Sequence, residues 1–297
     1  MTTYTQISSN KRRSILLIVT FVIIIVALGY VFSKAYAAGP GVLVLAIAFS
    51  VGMTLVGYFS GDKVALWTAG AVAVTKEQNP YLVRIVENLA ITAGLPSPKV
   101  YVMQDEVINA FATGRDPQHA SIAVTTGALE KLENEELEGV IAHELSHVGN
   151  YDVRFMTLVA VLVGIISLLA HWFIRFNFFG GRRSGGGKGG AQGIFMLVGI
   201  ILSILAPIAA LLIQLAVSRK REFLADASGA QLTRYPEGLA RALEKIAAQD
   251  GKMATANNST APLYIANPFG AAHGKGFGKM FSTHPPIEER IKILRGM

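Results

Sequence analysis

Four long apolar runs constrain this 297-residue chain more than any other feature of its sequence. The first, residues 14–32, is 19 residues long without a charged side chain, which is enough to cross about 28 Å as a helix. The second covers residues 41–59, the third follows Arg154 and continues to Ile174, and the fourth covers residues 193–217. Runs of this length predict a membrane protein with a modest soluble part.

The composition agrees with this prediction and excludes several kinds of chemistry. Hydrophobic residues make up 52% of the chain and charged residues only 16%, with the apolar excess concentrated in the four runs. The net charge of +7 comes with basic clusters beside apolar runs, at residues 11–13 and 219–221, and the sequence holds no nucleic-acid motif. Because the chain has no cysteine, disulfides, thiol catalysis and Cys-ligated zinc are excluded, and any metal must be held by His and carboxylate side chains.

The basic cluster at residues 11–13 predicts a cytoplasmic N-terminus by the positive-inside rule. Two crossings then leave residues 61–152 in the cytoplasm, and two more return residues 218–297 to the same side. A cleaved secretory signal is a competing interpretation of the first run, although that run exceeds the usual apolar core of about 7 to 15 residues. The link at residues 175–192 carries four basic residues that would lie outside, so a shallow hairpin for the third and fourth runs stays open.

Between and after the apolar runs the sequence predicts a small α+β domain. Asn79-Pro80 opens an amphipathic helix that runs to about Ala93, with its apolar residues on one face. Apolar stretches bounded by Gly, Pro and Asp predict short strands at residues 99–104, 110–113 and 121–125. Further helices are predicted at residues 134–149, 218–232 and 236–249, followed by a long loop at residues 253–282 and a last short helix that begins at Pro286.

The strongest chemical signal is the pattern His143-Glu144-Leu145-Ser146-His147. On a helix its two histidines lie four residues apart on one face, with Cβ atoms about 5 to 6 Å from each other. That spacing allows both imidazoles to reach one zinc ion. Glu144 lies beside the first ligand and can hydrogen-bond a metal-bound water as the general base.

A catalytic zinc site needs a third protein ligand and an open position for water. Glu222 is the better candidate, because its helix leaves the fourth apolar run much as the His143 helix leads into the third. An ordinary surface charge is the alternative for Glu222, and His119, His171 and His273 are more simply explained as incidental. Asp226, one turn beyond Glu222, can accept a hydrogen bond from a ligand imidazole.

Several motifs in a fixed order carry a family resemblance over nearly the whole chain. They are Gly94-Leu95-Pro96, the strand from Lys99, the stretch from Asn109 to Gly114, the His-Glu helix, Glu222 with Asp226, and Thr283-His284-Pro285-Pro286. In this order they resemble the HtpX family of membrane-bound zinc metallopeptidases, which is related to the CAAX-prenyl endopeptidases. The resemblance implies that Glu222 is the third ligand, with one zinc ion per chain. It also implies a gluzincin-like core and quality control of membrane proteins at a bacterial inner membrane.

Two further assignments depend on the resemblance. Asn109, Ala110, Phe111 and Ala112 would belong to an edge strand that binds substrate by pairing with its backbone. A plain buried strand is the alternative, which accounts for Phe111 but not for the Asn before it. His284 would donate a hydrogen bond to the oxyanion, or it would cap the helix at Pro286 while Arg290 pairs locally.

The sequence therefore predicts a mainly helical α+β fold. An N-terminal transmembrane hairpin, residues 1–60, precedes a gluzincin-like zinc peptidase domain formed by residues 61–152 and 218–297. The second apolar helical pair, residues 153–217, is inserted between the metal ligands.

The predicted activity is that of a zinc endopeptidase that is anchored in the lipid bilayer, has its active site on the cytoplasmic side, and acts on polypeptides that include membrane proteins. Nucleic acid is not among the expected partners. Prenyl-peptide processing is the alternative within the enzyme class, and a non-catalytic zinc-binding membrane protein is the alternative outside it. An intact Glu144 disfavours the latter, because a structural zinc site needs no base.

Overall fold

Three long helices contain the apolar runs that the structure describes. The structure, a computed structural model, describes residues 3–35, 41–180, 219–270 and 285–297. The first three runs form α1 (Thr3–Ala35), α2 (Gly41–Thr68) and α6 (Asp152–Gly180), and α2 continues nine residues beyond the predicted end of its run. The fourth run lies outside the described residues.

The three long helices pack on one another and leave much of their apolar surface uncovered. Phe21 of α1 and Leu162 of α6 belong to one buried cluster, whereas side chains such as Leu16 of α1 and Leu45 of α2 are 64% and 69% exposed. Within the described residues, the part of α2 from Val44 to Thr68 is long and apolar enough to cross a membrane. A second span is counted if the helix Asn134–Gly149 and the part of α6 from Asp152 to Leu168, which meet at a bend of 86°, are taken as one broken span.

A small mixed sheet forms the β part of the fold. Its strands are β1 (Ala71–Ala73), β2 (Lys99–Met103), β3 (Ala110–Gly114) and β4 (Ala120–Thr125), in the order β1-β2-β4-β3. β2 and β4 run parallel, whereas β1 and β3 are antiparallel to their neighbours. The three predicted strands are confirmed, β1 was not predicted, and β3 lies at an edge.

The shorter helices pack on one another and on this sheet, and they bury the main core between them. They are α3 (Pro80–Thr92), α4 (Thr126–Lys131), α5 (Asn134–Gly149), α7 (Arg219–Thr233), α8 (Pro236–Ala248) and α9 (Ile287–Leu294). All except α4 were predicted from the sequence, and the fold is mainly helical α+β as expected. Asn79-Pro80 opens α3 as predicted, because the Asn79 side chain accepts a hydrogen bond from the Leu82 N–H at the start of the helix.

The predicted loop at residues 253–282 is not featureless where the structure describes it. It contains a 3-10 turn, Ala261–Leu263, and Tyr264 forms an antiparallel bridge with Phe111 of the edge strand. Residues 271–282 lie outside the described residues. The bridge escaped prediction because a single pairing between distant residues leaves no periodic pattern in the sequence.

α5 is the central helix of the domain, and glycine allows its neighbours to approach closely. A Cβ atom added at Gly139 would lie 2.7 Å from the backbone nitrogen of Leu239 on α8. Backbone atoms cannot yield as a flexible side chain can, so the contact between α5 and α8 requires glycine at this position.

Gly139→Ala should therefore destabilise the fold by about 1–3 kcal/mol, because the added methyl group overpacks the α5–α8 contact. Thermal unfolding of the purified protein in detergent measures the effect. The control is Gly52→Ala within α2, where an added Cβ meets nothing within 4 Å. A Gly139→Ala protein as stable as the control would show that α8 can shift away without cost.

Candidate metal centre

α5 presents His143, Glu144 and His147 inside the domain rather than at its surface. The three side chains are all buried. The helix begins after Glu133, which forms a capping box with Glu136, and this fixes the register of the turns that follow. The four-residue spacing then places both imidazoles on one face, with 4.8 Å between their ring centroids.

α7 brings Glu222 to the same point. The Nε2 atoms of His143 and His147 lie 3.2 Å apart, and the Glu222 carboxylate oxygens lie 3.9 Å and 3.6 Å from these two atoms respectively. One ligand atom from each of the three residues lies within 4.8 Å of the others. Gly229 allows this approach, because a Cβ there would lie 3.0 Å from the backbone nitrogen of His143. The structure thus joins the three predicted ligands, which lie up to 79 residues apart in sequence.

Each imidazole is held from behind by a carboxylate. Asp226 Oδ1 lies 2.9 Å from His143 Nδ1, and Asp152 Oδ2 lies 3.2 Å from His147 Nδ1. When each Nδ1–H donates to its carboxylate, the lone pair of each Nε2 is directed toward Glu222. Two imidazole nitrogens and one carboxylate are the donor set of a three-ligand catalytic zinc site. The residues present therefore fit such a metal ion.

Arg290 pairs with a distant residue, whereas one of the two alternatives given for His284 had Arg290 pair locally. Its fully buried guanidinium donates to both carboxylate oxygens of Asp226, at 2.7 Å and 2.8 Å. The two residues are 64 positions apart. The signal that would have found Arg290 is its position among Ile287, Ile291 and Leu294, on the apolar face of α9.

Asp152 was also missed, although it lies only five residues beyond His147. It is buried at the first position of α6, where the chain turns out of α5. In the sequence, Asp152 is a single acidic residue beside an apolar run, where an acidic side chain is typically exposed to solvent. Only the turn between the two helices directs its carboxylate back toward His147.

The edge strand β3 lies beside the ligands, as predicted, but its outer side is partly occupied. The Ala112 N–H donates to the Glu144 carboxylate, while the Ala110 carbonyl accepts from the Ile265 N–H at 2.9 Å. The Asn109 side chain is buried. It bonds the N–H and the carbonyl of Ala266, at 3.3 Å and 3.0 Å. The role of Asn109 in the structure is thus to hold a neighbouring segment against the strand.

Comparison with known proteins identifies the family. Residues 76–297, three quarters of the chain, match the model of peptidase family M48. The chain belongs to peptidase family M48. The protease HtpX homologue of Thermoanaerobacter pseudethanolicus is 46% identical over all of this chain and 98% of its own length. That of Caldanaerobacter subterraneus is 47% identical over the same shares.

Among solved structures, S. mikatae Ste24p aligns with a TM-score of 0.49 and 20% identity. The alignment covers 90% of this chain and 61% of that protein. Membership of family M48 implies a metal ion, and His143, His147 and Glu222 form the cluster that could hold it.

The electrostatics of this M48 peptidase follow from burial and from the carboxylates around the ligands. Burial raises the pKa of Glu144 to about 7 and lowers the pKa of His143 to about 4. Burial alone would lower the pKa of His147, but the hydrogen bond with Asp152 and the charge of Glu222 raise it to about 9. Burial would likewise raise the pKa of Asp226, but Arg290 lowers it to about 2. Asp226 is thus an anion, and Glu144 can exchange a proton near neutral pH.

Of the remaining histidines of this M48 peptidase, His119 is the one whose side chain the structure describes, and it does not join the cluster. His119 is half-exposed and pairs with Asp116 at the surface, in agreement with its interpretation as incidental. His273 and His284 lie outside the described residues, as does the side chain of His171. The oxyanion role predicted for His284 therefore stays a prediction.

Arg290→Met should reduce both the stability and the metal content of the purified protein. The substitution keeps much of the side-chain volume but leaves the Asp226 carboxylate buried without its counter-charge, which costs roughly 3–5 kcal/mol in comparable pairs. Thermal unfolding and elemental analysis measure the two effects. Arg295→Met is the matched control, because Arg295 lies on the same helix end and pairs with Glu237 and Glu244 in solvent. Equal metal content in both variants would remove Arg290 from the support of the site.

Proposed function

We propose that this chain is a membrane-anchored zinc endopeptidase with His143, His147 and Glu222 as the metal ligands and Glu144 as the general base. The observation that carries the proposal is the convergence of two Nε2 atoms and one carboxylate, with both Nδ1 atoms held by further carboxylates. This arrangement fixes the tautomer of each ligand and raises its basicity. Three protein ligands leave a coordination position open, as catalysis requires and structural zinc sites do not.

The chain's own residues account for the proton movements of hydrolysis. Zinc, when bound, supplies a Lewis acid that polarises the peptide carbonyl and makes water acidic. The Glu144 carboxylate accepts a proton from the attacking water and then delivers it to the leaving amine. The hydrogen bond from the Ala112 N–H orients that carboxylate, and the pKa of about 7 that burial gives it suits a group that must both accept and release a proton. A purely zinc-binding role would leave this buried carboxyl without a use.

We further propose that substrate binds as a strand added to the outer edge of β3, at Asn109, Ala110, Phe111 and Ala112. This edge already accepts one extended segment, since Ile265 donates to Ala110 in an antiparallel bridge. An unfolded polypeptide offers the same backbone groups irrespective of its sequence. A substrate that pairs with Ala110 must first displace the Ile265 N–H. Asn109 acts indirectly in this scheme, by holding the segment that the substrate replaces.

The proposed setting is a bacterial inner membrane, with the active site on the cytoplasmic side. The exposed apolar side chains of α1 and α2 support an N-terminal hairpin across the lipid, and α6 belongs to the second apolar pair between the ligands. The domain boundaries predicted from the sequence are part of this proposal. α5 ends three residues before α6 begins, so the metal cluster lies at the base of the membrane helices. A site in that position suits damaged membrane proteins, and we propose quality control of such proteins as the cellular role.

Glu144→Gln should retain zinc but lower hydrolysis of an unfolded protein roughly 10²- to 10⁴-fold, because the amide cannot accept the water's proton. Glu222→Ala should instead lower the zinc content. Casein turnover in detergent and elemental analysis separate the two effects. Glu135→Gln, an exposed position on the same helix, is the control and should match the wild type. Casein hydrolysis at the wild-type rate by the Glu144 variant would eliminate the proposed mechanism.

A disulfide between positions 111 and 264 should block hydrolysis without removing zinc. Phe111 and Tyr264 face each other in the antiparallel bridge, a spacing that a disulfide can close, and the chain has no other cysteine. The double variant should be inactive when oxidised and regain activity on reduction. The control joins Ala73 and Tyr101, which face each other between β1 and β2. If the oxidised 111–264 protein cleaves peptides as fast as its reduced form, substrate does not use this edge.

A further inference from the structure

Asn10 is a buried polar residue on a membrane helix, and the chemistry described so far gives it no role. It lies near the start of α1, immediately before the basic cluster at residues 11–13 and the first apolar run. Its side chain is only 1% exposed. Burial of an amide costs free energy unless its polar groups are bonded. Within the described residues the Oδ1 atom of Asn10 has no hydrogen-bond partner, so the partners of its Nδ2 group are what offsets this cost.

Those partners belong to the turn that follows the metal-binding helix. The Asn10 Nδ2 group donates to Asp152 Oδ1 at 2.8 Å and to the Asn150 carbonyl at 2.9 Å. Between these two residues, Tyr151 has a φ of 60°, an uncommon conformation for a residue with a side chain. Lys11 lies 4.3 Å above the Tyr151 ring. Two adjacent residues of α1, Asn10 and Lys11, thus contact all three residues (150–152) of the turn between α5 and α6.

The contact reaches the metal cluster through a single carboxylate. Asp152 accepts from Asn10 at Oδ1 and lies 3.2 Å from His147 Nδ1 at Oδ2. Arg221, next to Glu222, lies 3.5 Å from the same Oδ1. A carboxylate bonded at both oxygens cannot rotate freely, and its orientation determines that of the His147 ring.

The two ligand histidines are therefore supported from opposite parts of the molecule. His143 is held by Asp226, which Arg290 bonds from the last helix of the catalytic domain. His147 is held by Asp152, which Asn10 bonds from the first membrane helix. The part of the chain that matches the M48 family model begins at residue 76, so Asn10 lies outside it.

We propose that Asn10 is a positioning residue for the metal ligand His147, acting through Asp152. The inference rests on the proposed zinc site and extends it to the membrane anchor. The docking of α1 on the turn between α5 and α6 is then a condition for full metal affinity, because the amide fixes the carboxylate that orients the imidazole. α1 is part of the active-site support as well as an anchor.

The test compares the zinc affinity of the full-length protein in detergent for the wild type, Asn10→Leu, Asn10→Ala and Asn10→Gln. Competition with a chromophoric chelator gives the dissociation constants. Loss of the amide in the Leu and Ala variants should weaken zinc binding roughly 10- to 100-fold, the usual effect of removing a group that supports a metal ligand. Asn10→Gln keeps the amide and should retain more of the affinity. In the cobalt-substituted protein, the ligand-field absorption bands should shift in the Leu and Ala variants, because they report the geometry around the metal.

Ser14→Ala is the matched control. Ser14 lies one turn further along α1, is equally buried, and bonds only the Asn10 backbone carbonyl. Its replacement perturbs the same helix face without reaching Asp152, so zinc affinity should match the wild type. If the Ser14 and Asn10 variants lose zinc affinity equally, the effect comes from the docking of the helix in general, and the proposal is overturned.

A double-mutant cycle tests the route through Asp152. Once Asp152→Asn has removed the carboxylate, adding Asn10→Ala should have little further effect on zinc affinity, because the pair acts as one unit. Additive losses, or wild-type affinity and cobalt spectra in the single Asn10 variants, would overturn the inference. Zinc binding that survives His143→Ala would instead reject the proposed zinc site itself.

Discussion

The close packing of α7 against α5 is the contact on which the rest of the structure depends. Without it, His143 and His147 would be two histidines on a helix, and Glu222 would be an ordinary charge on another. Gly229 permits the approach, since any side chain there would meet the backbone of His143. The contact also places Asp226 behind the ligand imidazole. One helix crossing therefore supplies both Glu222, the proposed third ligand, and the carboxylate that holds the His143 ring.

This crossing buries several charged groups, and their mutual pairing is what makes the burial tolerable. Isolated ions are expensive to remove from water, and pairing with good geometry and further hydrogen bonds offsets that cost. Asp226 receives Arg290 from the C-terminal helix, and Asp152 receives Asn10 and Arg221. Through these contacts, the carboxylates of Asp152 and Asp226 connect residues near both ends of the chain to the ligand histidines of α5. A buried polar network is most stable when its members are all paired, which is why polar residues far apart in sequence lie close together here.

The edge of β3 serves the fold and, in the proposed function, the substrate. Its outer backbone groups are already shared with Glu144 and with the segment at Ile265. An exposed sheet edge is a site for unwanted pairing, and the segment at Ile265 covers part of this one. Arg290 also donates to the Ile265 carbonyl, at 3.3 Å, so the same guanidinium holds a site carboxylate and the segment that covers the edge. The availability of the edge is therefore linked to the structure of the metal cluster.

The sequence by itself determined the elements whose signals are local. Hydrophobic periodicity, caps and punctuating Gly and Pro located α3, α5 and three of the four strands, and the spacing of His143 and His147 indicated a metal before any fold was known. Strand β1 is too short for such a pattern, and α4 was missed as well. Only the tertiary structure decided which buried faces meet: the pairing of Arg290 with Asp226, of Asn10 with Asp152, and of Ile265 with Ala110. The physical reason is that periodicity states which face of an element is buried, whereas the partner of that face is set by packing between residues that can be more than a hundred positions apart.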